Sequence, residues 1–78
     1  MTSRQKEVRL ALLGNRESLL MQLINASHGI EAVLLQEGKH AEATRQRGTT
    51  LDAKRELDLL QDEIRATELV AVDSGTQI

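Results

Sequence analysis

The sequence predicts an all-α protein, and three observations carry that reading. Between Leu19 and Leu35 the apolar residues Leu19, Leu23, Ala26, Ile30, Val33 and Leu34 recur at spacings of three and four, the helical period. No stretch alternates apolar and polar residues for long, and Val and Ile are few, so strands are disfavoured. There is no Pro, and the Gly-marked breaks at Gly38 and Gly48 divide the chain into long segments. The expected architecture is an antiparallel helical hairpin with a kinked first helix. A compact three-helix bundle is the alternative, and either associates into a larger helical bundle.

The elements follow in order. Thr2 and Gln5 have capping-box spacing, so a helix begins near residue 3. Gly14-Asn15 is the first weak point, because Gly costs up to ~1 kcal/mol inside a helix and Asn is a good cap. Arg16 sharpens it. On an unbroken helix it falls within the Leu12, Leu19, Leu23 stripe, where a buried lone charge is costly. A kink or short break at 14–15 is therefore expected. Ser27-His28-Gly29 is a second soft point. The helix is expected to pass through it, because Leu23, Ala26, Ile30 and Leu34 keep one phase; a break there gives the three-helix alternative. Helical character reaches about residue 37, and Gly38 suits the left-handed position after a last turn. Residues 38–49 are polar and read as a turn, with Thr49 and Asp52 or Thr50 capping a helix over about 50–72. Asp73-Ser74-Gly75 ends it, and 73–78 reads as a mobile tail. The whole, 1–78, is a single small helical domain.

A chain of 78 residues buries only about 60–65% of its unfolded surface. Without Phe, Tyr, Trp or Cys, its core rests on aliphatic side chains, and no disulfide or thiolate metal site can supplement it. Association with another chain is the remaining remedy. Two apolar stripes on the last helix agree. Ala53, Leu57, Leu60, Ile64 and Ala71 form one, expected to meet the Leu23 and Ile30 face. Leu59, Ala66 and Val70 form the other, expected with Met21 and Leu35 to contact a partner or a second copy.

The net charge of −2 gives no overall pull toward nucleic acid or an anionic membrane. Its distribution is uneven. Lys39, Arg45, Arg47, Lys54 and Arg55 outnumber Glu42 and Asp52 around the expected turn, a basic tip for an acidic partner or nucleic acid. With no aromatic residue to stack a base, single-strand binding is disfavoured. The beginning, MTSRQKEVR, lacks the apolar core of a signal peptide, and unbroken apolar runs are short of the roughly 18 residues of a membrane span. The expected address is cytoplasmic, without membrane association.

Chemistry-bearing patterns are sparse. Glu37 and His40 have the Glu-x-x-His spacing of carboxylate-bridged metal bundles, but Gly38 lies between them. His28 and Glu31 are three apart, the spacing of an ordinary surface pair. No nucleophile elbow and no glycine-rich phosphate loop is present. The expectation is no enzyme activity, no catalytic residue, no metal, no cofactor and no small-molecule substrate. Two apolar helices around a polar, Gly-marked turn are similar in layout to small co-chaperones of type III secretion systems and to short phage and plasmid regulators. That likeness implies a small inhibitor, co-chaperone or assembly or regulatory factor of phage or mobile-element origin, and assigns no site residues. A dimeric nucleic-acid-associated regulator using residues 39–55 is the alternative.

Overall fold

In the computed structural model, described for residues 1–72, two helices form an antiparallel hairpin, α1 (Ser3–Gln36) and α2 (His40–Glu68). The protein is all-α, as its periodicity predicts. Thr2 caps α1: its hydroxyl accepts from the Gln5 backbone N–H, and the Gln5 side chain accepts from the Thr2 N–H. Gly38, at φ +75°, makes the reversal. The expected tail at 73–78 lies outside the described residues.

Three boundaries differ from expectation. α1 runs unbroken through Gly14-Asn15 as well as through Ser27–Gly29. The segment 38–49, read as a polar turn, is helical from His40 onward. Its residues are mostly good helix formers, and a backbone already reversed at Gly38 has no second turn to make at Gly48. α2 stops at Glu68 rather than near 72. Lys6 closes that end, its Nζ donating to the Glu68 carbonyl at 2.7 Å and to the Val70 carbonyl at 3.0 Å. A cation there meets the negative end of the helix dipole.

The helices meet along one seam. On α1 the buried and half-buried positions are 3, 6, 10, 13, 17, 20, 24, 27, 31 and 34, with Gly14 beside them. On α2 they are 43, 46, 50, 53, 57, 60, 64 and 67, with Gln61 beside them. Both sets alternate steps of three and four, the heptad of a coiled coil. The seam is thin in apolar volume. Among the described residues Leu20, Ile24 and Leu60 are its buried large apolar side chains, with Ala43 and Ala53.

Its polar members are matched instead. Ser27 Oγ and Thr50 Oγ1 share a hydrogen bond of 2.5 Å, and Gln46 Nε2 donates to Ser27 Oγ at 2.5 Å. Arg47 Nε donates to Glu31 at 2.8 Å, and Gln61 donates to Glu17 at 3.2 Å. No buried side-chain nitrogen or oxygen among the described residues lacks a partner.

The molecule is a rod. Its radius of gyration is 18.2 Å, against about 11–12 Å for a compact chain of this length. Each helix therefore buries one flank and leaves the rest in solvent.

Candidate protein-interaction surface

Leu23 and Ile30 do not meet α2 as expected. The residues turned inward are their neighbours on the helix, Leu20, Ile24, Ser27 and Leu34, while Leu23 and Ile30 are each about half exposed. The reason lies in α2. Its one long seam carries Gln46, Thr50 and Thr67 among its apolar members, and buried amide and hydroxyl groups need partners. Ser27 accepts from Gln46 and shares a hydrogen bond with Thr50, Glu31 accepts from Arg47 and Glu17 from Gln61, while the Thr50 and Thr67 hydroxyls also donate to carbonyls of their own helix. Leu19, Leu23, Ala26 and Ile30 could supply none of these cross-helix bonds.

Arg16 follows from the same choice. The stripe it interrupts faces solvent, so its charge stays hydrated and no kink is needed to rotate it out. It lines a cleft with Glu56, Leu59 and Glu63 of α2.

The outer flank of α1 is consequently an exposed apolar band. Leu12 is 64% and Leu19 65% exposed, and Leu23, Ile30 and Val33 are each close to half exposed. Leu12, Leu19, Leu23, Ala26, Ile30 and Val33 follow heptad steps of their own, displaced around the helix from the inner seam. Apolar grooves mark both ends of this band. Val8 and Leu12 line one with Met1, and Ala26, Gly29, Ile30 and Val33 line the other. A contiguous apolar face of this length is uncommon on a monomeric protein.

The residues expected at the interface are all exposed but do not share one surface. Leu59, 70% exposed, and Ala66 lie on the outside of α2, on the flank that borders the outer band of α1. Their neighbours three and four residues away include Arg55, Glu56, Asp62 and Glu63, so the patch is mostly charged. Val70 lies beyond the end of α2 and cannot extend their helical stripe. Met21 and Leu35 are two heptads apart on α1, on the side of the helix opposite the outer band. The residues of the band itself are visible in the sequence, but as the expected core. The distinguishing signal is the matching polar content of the inner stripe and α2.

The basic residues are spread rather than gathered. Lys39 is at the reversal, while Arg45, Arg47, Lys54 and Arg55 extend along α2, so that Lys39 and Arg55 are about 24 Å apart at 1.5 Å per residue. Lys39 pairs with Glu37 at 3.1 Å, Arg47 with Glu31 at 2.8 Å and Arg55 with Asp52 at 3.8 Å. The expected basic tip is therefore not formed, because the chain turns at Gly38 and not across 38–49. Glu37 caps α1 and His40 opens α2, so the Glu-x-x-His spacing is not that of one helix. Among the described residues, no three His, Cys, Asp or Glu side chains are grouped to hold a metal ion.

The outer band also raises the average apolarity of α1. Its mean hydropathy reaches 1.2 over 18 residues, long and apolar enough by length and composition to cross a membrane. Only 17% of that window is buried, so its apolar character is largely outward. No family model, curated protein or solved structure matches the chain.

Proposed function

We propose that the protein is a non-enzymatic interaction module, a helical hairpin that presents the outer band of α1 to another helical surface. The observation that supports this reading is an inversion of the usual order. The stripe left in solvent is more apolar than the stripe that closes the hairpin. The inner seam relies on Ser27, Glu31, Thr50 and Gln46, which fix register and contribute little net stability. The band of Leu12, Leu19, Leu23, Ile30 and Val33 holds most of the chain's remaining hydrophobic driving force, roughly 1.5–3 kcal/mol for each large side chain fully buried. A small inhibitor, co-chaperone or assembly factor uses such a surface, with itself or a protein partner.

The test is affinity capture from the source cells with wild-type protein and with Leu12→Glu/Ile30→Glu. Both positions are exposed, so the hairpin seam is untouched. A partner recovered by wild type and lost by the variant, at unchanged helicity, is the expected result. If the two proteins recover the same partners and have the same mass in solution, the outer band is not the working surface.

A further inference from the structure

We infer that the outer band of α1 is covered by a second copy of this chain, the two α1 helices lying antiparallel about a two-fold axis at the level of Met21 to make a four-helix bundle. The inference rests on the reading of this band as an interaction surface and names its occupant. Its support is self-complementarity, which a two-fold interface requires. Reversed about Met21, the band maps onto itself: Leu12 faces Ile30, Leu19 faces Leu23, and the long Arg16 faces the small Ala26. Large apolar groups thus meet across the middle of the band, while at its ends Val33 faces Arg9. Moving the axis by half a heptad sets Leu12 against Glu37 and Arg16 against Val33, which buries charge against apolar surface.

Charge does not set the orientation, because Arg9, Glu31 and Glu37 pair within the hairpin with Glu63, Arg47 and Lys39. The heptad steps of the band suit the shallow crossing angle of four-helix bundles.

Light scattering coupled to gel filtration tests the full-length chain. Wild type should run at twice the chain mass, Leu19→Glu/Leu23→Glu at the monomer mass, and Leu59→Glu still at twice. Cysteine pairing tests the geometry without relying on a disruptive variant, since the chain has no Cys of its own. Leu12→Cys and Ile30→Cys should each resist oxidative cross-linking alone and form a disulfide-linked dimer when mixed. Cross-linking of Leu12→Cys with itself would overturn the antiparallel arrangement. A wild-type monomer at every concentration would overturn the second copy while leaving the interaction reading to its own capture experiment. A monomer that binds phosphatidylglycerol vesicles through the band would also overturn it, giving the face to a lipid surface.

Discussion

The two stripes of α1 share a spacing and differ in use. The inner one, through Leu13, Leu20, Ile24, Ser27, Glu31 and Leu34, is mixed in polarity and closes the hairpin. The outer one, through Leu12, Leu19, Leu23, Ala26, Ile30 and Val33, is nearly all apolar and faces solvent. Periodicity alone ranks the outer stripe first as a core. Hydrogen-bond matching with α2 reverses that ranking, because an unpaired side-chain amide at Gln46 costs about 1–3 kcal/mol. In this two-helix rod, the polar matching of the seam decides which face turns inward, and the more apolar face is left in solvent.

The widest separation between the stripes is expected at adjacent leucines. Leu20→Ala removes a buried side chain and should cost about 2–4 kcal/mol at any protein concentration. Leu19→Ala should alter only the concentration-dependent part of stability, leaving the dilute protein within ~0.5 kcal/mol of wild type. Urea unfolding at low and high protein concentration measures both, and equal losses for the pair at low concentration would contradict the assignment of faces.

Breaking the polar layer comes next. Ser27→Ala takes the partner from Gln46 Nε2, while Thr50 Oγ1 keeps its bond to the Gln46 carbonyl, at a cost of about 1–3 kcal/mol. Adding Gln46→Leu and Thr50→Ala should recover most of that loss, because no donor is then stranded. If the triple variant stays as unstable as the single one, the layer acts through packing and not through hydrogen bonds.

Gly38 makes the reversal between the two helices. Gly38→Ala forces a Cβ into the left-handed region and should lower the unfolding free energy by about 1–2 kcal/mol, read from the urea midpoint. The smallest effect is expected at a position outside both stripes. Gly48 has open space around it in mid-helix, so Gly48→Ala should raise stability by up to ~1 kcal/mol and increase the helical circular-dichroism signal. A loss there would mean that α2 bears a contact on its outer side.

Much of the hairpin is legible in the residues. The Thr2/Gln5 box, the left-handed Gly38 and the unbroken phase across Ser27–Gly29 are local features, and each forms as its chemistry dictates. Gly14-Asn15 misleads because the argument for a kink depends on the Leu12–Leu23 stripe being buried, which is a tertiary matter. Gly48-Thr49-Thr50 misleads because turn-forming residues are tolerated within a helix whose seam gives Thr50 a partner. For the candidate surface, exposure could not be read from spacing. Leu59, Ala66, Val70, Met21 and Leu35 are outside the seam as expected, yet the larger apolar face is the one that reads as core.

The sequence by itself determined the helical class, the cap at Thr2 and the reversal at Gly38, because those depend on neighbours within a turn or two. Only the tertiary structure decided which face of α1 turns inward. That choice is a comparison between two helices. It depends on whether the hydroxyls, amides and charges of α2 find partners, and no periodicity within α1 contains that information.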